Sequence, residues 1–331
     1  MTAPEAEVDR PIRPAPSLPL ADRVFHGAAR TVGGLVLLIF GSIGLFLAYQ
    51  SVPTLRHYGF RFFTETDWVP ESDRVGIAAV VVGTVVVAVI ALLVSFPLAL
   101  TTALYISEYS PARLKPAFVA MVDLMAAVPS IVYGLWGFFL LQPNAVPVAH
   151  WLHLHFGFIP FFRADTDPYA AMWEQSRYTG SAFIAGLVVS MMVIPMGCAV
   201  MREVFSQAPM GEREAALALG ATRWGMIRAV VLPFGRGGII GGTMLSLGRA
   251  LGETIAVLLI ISPAFDIKLS VIEVGANTVA ALIAGRFGEA TAGQLSALLT
   301  AGFVLFLITL LVNTLAAIVV NRSRSGAATE I

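Results

Sequence analysis

Residues 237–261 read GGIIGGTMLSLGRALGETIAVLLII, and only Arg249 and Glu253 among them carry a charge. At about 1.5 Å per residue such a run is long enough, as a helix, to cross a hydrocarbon core about 30 Å thick. A helix also satisfies every backbone polar group internally, which lipid requires. The rest of the chain supports that reading. Of 331 residues, 57% are hydrophobic and 13% charged, against about 25% charged in soluble domains. Five further apolar blocks reach spanning length: Thr31–Gln50, Gly76–Ile106, Pro116–Leu141, Ser181–Met201 and Gly293–Val320. The expected architecture is therefore all-α, a polytopic membrane protein with about six transmembrane helices. An even number of spans puts both termini on one side.

Arginine and lysine decide which side. With the termini inside, the inner segments hold thirteen basic residues and the outer ones seven. The positive-inside rule then places both termini and the segment 202–236 in the cytoplasm, with 51–75, 142–180 and 262–292 outside. Residues 1–30 read as a disordered cytoplasmic tail, 31–320 as the transmembrane domain and 321–331 as a second tail. Net charge is zero, so bulk charge gives no footing for nucleic acid. The single cysteine, Cys198, sits in an apolar block and reads as filler. His150, His153 and His155 in the outer stretch match no standard metal-ligand spacing, and read as interfacial.

Arg249 and Glu253 lie about 18 and 24 Å from the start of their span. A charge near the helix centre costs roughly 2.5–3.5 kcal/mol on insertion scales. Both must face protein, water or each other, and a spacing of four on one helix lets them pair. A pair that only neutralises itself gains little over apolar residues of the same volume, so a substrate pathway is the preferred reading. A guanidinium offers two parallel hydrogen bonds to an oxyanion. In that reading Glu253 holds Arg249 while substrate is absent. The glycines of this span recur four apart (Gly237/Gly241, Gly238/Gly242, Gly248/Gly252), a small-residue face for close helix packing, within the chain or against a partner's helix. In the third span Pro129 is expected to break the helix, with Ser130 and Tyr133 adding hydroxyl donors to the pathway. Asp123 reads as a cap or as a partner for a basic side chain.

No G-x-x-x-x-G-K-[ST] sequence occurs, and the only lysines are Lys115 and Lys268. The chain is therefore expected to be no enzyme and to hydrolyse no nucleotide itself. Segment 202–236, REVFSQAPMGEREAALALGATRWGMIRAVVLPFGR, has helical periodicity on both sides of Gly220. Two short helices joined there are expected, with Pro233 ending the second or beginning the next element.

Glu214-Ala215-Ala216, Gly220 and Leu232-Pro233 resemble the EAA motif of ABC importer permeases, with Val230 where the motif carries isoleucine. Together with AAVPSIVYGLWGFFLL (126–141), GRALGETIAV (248–257) and FFTETDW (62–68), the chain resembles the PstC-type permease subunits of phosphate-specific ABC importers over about residues 30–320. That resemblance implies a type I permease fold in a bacterial plasma membrane. It implies that Glu214, Ala215, Ala216, Gly220, Leu232 and Pro233 couple to a separate ATPase. It also implies a second, PstA-type permease subunit, two ATPase subunits and an extracytoplasmic phosphate-binding protein as partners, besides membrane lipid. No cofactor is expected on this chain, since ATP and Mg would sit on the ATPases. The family often has an Asn-Glu pair where Gly285-Arg286 stand here. A permease for another oxyanion, such as molybdate or sulfate, and a non-transporting scaffold or sensor are the rival expectations.

Overall fold

The computed structural model describes residues 20–165, 169 and 174–323. Eleven helices carry the architecture: α1 (Leu20–Tyr58), α2 (Ala78–Tyr109), α3 (Lys115–Ala127), α4 (Ser130–Phe156) and α5 (Ala182–Ser206), α6 (Met210–Ala218), α7 (Arg223–Phe234), α8 (Arg236–Leu251), α9 (Ile255–Ile260), α10 (Val279–Arg286) and α11 (Ala292–Ser323). A two-stranded antiparallel ribbon pairs Trp68 with Val75 and Val69 with Arg74. Among the described residues five helices are long and apolar enough to cross a membrane, and six if α7 and α8, bent by 69°, count as one span. The chain is helical already from Leu20, so the boundary expected at residue 30 falls inside α1; residues 1–19 and 324–331 lie outside the described residues. Among the described residues, those up to Phe46 form one compact unit and those from Leu47 onward another.

Within the second unit, α5 is the central helix. Its most apolar stretch is 61% buried, against 6% for α11. α2 runs beside α5, and α8 packs on both and on α11. The core between them is built from short side chains (Ala88, Ala91, Ala185, Val188, Val189), which let helices approach closely without a water-driven collapse. The small-residue face of α8 is used inside this chain. Gly238 lies against Val204 and Gly242 against the Gly197 carbonyl of α5, and the Ser246 hydroxyl donates to the Val193 carbonyl at 3.4 Å. Gly241 has open space instead, and Gly248 faces Asn313 of α11.

Three π-helical turns interrupt the spans: Tyr105–Tyr109, Gly137–Leu141 and Val231's turn Ile227–Val231. Each ends two residues before a proline: Pro111, Pro143 and Pro233. A proline has no N–H for the carbonyl four residues back and its ring crowds that carbonyl, so the preceding turn widens. This accounts for one departure from the sequence reading. The third span does not stop at Leu141. Gln142, Pro143 and Asn144 look like loop signals, yet the π turn absorbs Pro143 and the helix runs on to Phe156. His150, His153 and His155 therefore sit on a helix. His153 meets the Tyr178 hydroxyl at 2.5 Å, and His155 stacks on Trp151.

The same span does break where Pro129 stands. Val128 has ψ 129 and Pro129 ψ 141, the extended backbone that a residue before proline adopts.

Candidate functional site

Two interruptions lie close to one another. One is the Val128–Pro129 break between α3 and α4. The other was not expected: α8 ends at Leu251, and α9 begins only at Ile255. The helices beyond these breaks, the start of α4 and the short α9, touch at backbone distance. A Cβ placed on Gly134 of α4 would stand 2.9 Å from the Ala256 Cα and 2.8 Å from Leu259 Cδ1 of α9.

Each interruption is stitched by its own side chains. The Tyr133 hydroxyl donates to the Met125 carbonyl at 2.8 Å, satisfying an acceptor that the break leaves at the end of α3. Glu253, 8% exposed, accepts the Ala256 N–H at 3.3 Å and so caps α9. The Thr254 hydroxyl donates to the Gly252 carbonyl at 3.1 Å. A helix break inside a membrane persists only when the freed polar groups find such partners.

This geometry corrects the expected Arg249–Glu253 pair. Pairing at a spacing of four needs an unbroken helix, and the chain leaves the helix between the two residues. Among the described residues no ion pair joins them. Glu253 turns into the fold as a cap, whereas Arg249, in the last turn of α8, is exposed and has no hydrogen-bond or ion-pair partner among the described residues. Of the other expected residues, Tyr133 lies within electrostatic reach of its charge. Ser130 opens α4, one turn before Tyr133, and is half-buried with no partner for its hydroxyl among the described residues. The structure thus brings Arg249 towards Tyr133 and assigns Glu253 to capping.

The EAA segment forms two helices as expected. α6 ends in a left-handed glycine, Gly220 (φ +87°), with Ala221 N–H bonded to the Ala216 carbonyl and Gly220 N–H to the Leu217 carbonyl, the double closure that an αL cap supplies. Thr222 then caps α7 by accepting the Gly225 N–H at 3.1 Å. Ala216 and Leu232 pack against a core cluster containing Met201, Phe205 and Ile227. Glu214 and Ala215 are exposed, as is Pro233. Around them Met210, Leu217, Leu219 and Trp224 expose 67, 44, 90 and 57% of their surface. An apolar group of that kind on a polar segment marks a docking face.

Two ion pairs join helices distant in sequence, α6 to α2 and α5 to α3. Arg213 of α6 reaches Glu108 on the π turn of α2 at 3.1 Å, with both side chains largely buried. Asp123 meets Arg202 at 3.7 Å, the basic partner anticipated for it. The Arg213–Glu108 partners are 105 residues apart, and no local signal joins them.

The model of the family described as "Binding-protein-dependent transport system inner membrane component" matches residues 95–325. The phosphate transport system permease protein PstC 2 of Mycobacterium tuberculosis is 38% identical over 309 residues, covering 92% of this chain and 93% of the relative. The PstC permease of Xylella fastidiosa is 36% identical, covering 91% of each. Among solved structures, a bacterial ABC transporter involved in import of the acidic polysaccharide alginate superposes with TM-score 0.51 at 17% identity, covering 93% of this chain and 100% of that one. That similarity extends to the fold. With the motif, the broken spans and these relatives together, the chain belongs to the binding-protein-dependent transport system inner membrane components, as a multi-pass permease of the PstC type.

Proposed function

We propose that the chain is one of two permease subunits of an ATP-driven importer of inorganic phosphate, with both termini cytoplasmic. The observation that carries the pathway is Arg249: an exposed guanidinium in a span, beside two helix breaks, with no hydrogen-bond or ion-pair partner among the described residues. Lipid contact would be costly for it, so this face belongs to a water-filled path shared with a second permease of the PstA type. There Arg249 offers its planar fork to the oxyanion. The Ser130 hydroxyl is a further donor, and Tyr133 holds the broken helix in shape. Glu253 keeps α9 in place and leaves the guanidinium to the substrate.

An extracytoplasmic phosphate-binding protein delivers substrate on the far side. On the cytoplasmic side, α6 and the turn at Gly220 dock into an ATPase subunit, where ATP and Mg reside. Closing of two ATPases displaces α6 and switches the path from outward to inward access. The names of the relatives support phosphate as the substrate. The test is uptake of labelled phosphate by proteoliposomes holding all four membrane and ATPase subunits, with the binding protein supplied outside. Excess unlabelled phosphate is expected to compete and molybdate or sulfate is not. Competition by either of those at equal concentration would move the assignment to another oxyanion, and no ATP-dependent uptake of any oxyanion would leave a scaffold.

A docking prediction follows from Gly220. At φ +87° a β-branched residue is strained, by an amount on the order of 1–3 kcal/mol. Gly220→Val is therefore expected to unseat the α6–α7 turn while the spans still insert, since a Cβ at this position meets no atom within 4 Å. Co-purification of the ATPase should drop severely at unchanged membrane levels; undiminished co-purification would contradict it.

A further inference from the structure

The helix α6 has no buried residue. Apart from its chain connections, it grips the body of the protein through Ala216, which rests on the core cluster, and through Arg213. The Arg213 side chain keeps 14% of its surface exposed and its partner Glu108 only 4%. Arg213 Nη1 donates to Glu108 Oε2 at 3.1 Å, and Nη2 donates to the Phe205 carbonyl at the end of α5. Glu108 is itself held: its Oε1 accepts from the Ser107 hydroxyl at 2.6 Å, and Lys115 donates to the Ser107 carbonyl at 3.4 Å. One guanidinium thus ties α6 both to α5, the helix immediately before it in the chain, and to α2, from which it is separated by α3, α4 and α5.

We propose that the Arg213–Glu108 pair is a strut that carries displacement of α6 into α2. Without it, α6 would act on the spans only through its own ends, at Pro209 and Gly220, and through the apolar contact of Ala216. With it, a push on α6 reaches the π turn Tyr105–Tyr109 and, through that, α2, the helix packed beside α5. A fork bonded to two acceptors resists rotation as well as separation, and its burial spares it the screening that weakens surface pairs. Arg213 and Glu108 are positioning residues in this scheme. The inference rests on α6 being the ATPase docking element.

The test uses the assembled complex in lipid nanodiscs, with spin labels at Glu212→Cys and Tyr109→Cys, both exposed positions, beside the buried Cys198. In the otherwise unaltered chain the label separation is expected to stay the same with and without bound ATP, because α6 and the end of α2 move together. In Glu108→Gln the separation is expected to change with nucleotide. Uptake per ATP hydrolysed should fall roughly tenfold, within the range single residues carry along a coupling path. Arg213→Lys, which keeps the charge and loses one of the two bonds, should fall between. A label separation that already changes with nucleotide in the unaltered pair overturns the proposal. So does an unchanged uptake-to-hydrolysis ratio in Glu108→Gln, or in Arg213→Lys if Glu108→Gln fails to assemble. Failure of the unaltered chain to bind any ATPase would instead count against the docking assignment itself.

Discussion

Replacing Arg249 by glutamine is expected to lower phosphate uptake by one to two orders of magnitude while the protein reaches the membrane in normal amount. A hydrogen bond to a charged group contributes about 1.5–3 kcal/mol, and Arg249 would give a dianion two of them plus its charge. Little stability should be lost, because the side chain is exposed and has no hydrogen bond or ion pair among the described residues. The comparison that separates a substrate contact from a latch is Glu253→Gln. If the two residues formed a resting pair, freeing Arg249 would tighten substrate binding. In the observed geometry Glu253 caps α9 through the Ala256 N–H, a bond that a glutamine oxygen can still accept. Glu253→Gln should then leave uptake near its original level, while Arg249→Gln and Arg249→Lys lose it in that order of severity. Full uptake with Arg249→Gln would remove Arg249 from the pathway.

The second large effect is on stability. A Cβ at Gly83 of α2 would stand 2.0 Å from the Asn277 carbonyl oxygen. That oxygen is backbone and its neighbourhood is fixed. Thr84 Oγ accepts the Val279 N–H at 3.0 Å, while its own proton goes to the Val80 carbonyl at 2.6 Å, and Asn277 Oδ1 accepts the Thr278 N–H at 2.9 Å. The segment leading into α10 is thus seated on one face of α2 and has no free direction to move. Gly83→Ala should cost at least the upper part of the roughly 1–3 kcal/mol usual for an overpacked core. The expected readout is a lower thermal unfolding midpoint and poor recovery of the complex from detergent. Thr84→Ser, which keeps the hydroxyl acceptor, should be mild by comparison. An unchanged midpoint in Gly83→Ala would show that α2 and the 277–279 segment do not approach this closely.

The spans could be read from the sequence because lipid imposes a length and a polarity that any 20-residue window reveals. The break at Pro129 was legible because proline acts on its own neighbours. The turn at Gly220 was legible because a helical period stops and restarts around a residue free to take positive φ. The break at Gly252–Thr254 was not legible in the same way. Glycine alone costs a helix only about 1 kcal/mol relative to alanine, so Gly252 leaves the choice open. Continuity was lost only because Glu253 and Thr254 supply the bonds that the broken ladder needs, and because Gly134 admits α9 at backbone distance.

That single difference reverses the reading of the charged span. A spacing of four on paper becomes two residues with separate tasks once the helix ends between them. The same holds for the small-residue face of α8, whose Gly238 and Gly242 meet α5 and whose Gly248 meets α11 of the same chain, and for Glu108, whose partner lies 105 residues away. The sequence by itself determined the class of protein, the apolar stretches long enough to span, the two-helix segment around Gly220 and the residue types able to meet an oxyanion, because each of these follows from local composition or spacing. The tertiary structure alone decided which charges pair, which carboxylate caps a helix and which guanidinium stays free, because those outcomes depend on where distant backbone segments leave a polar group without a partner.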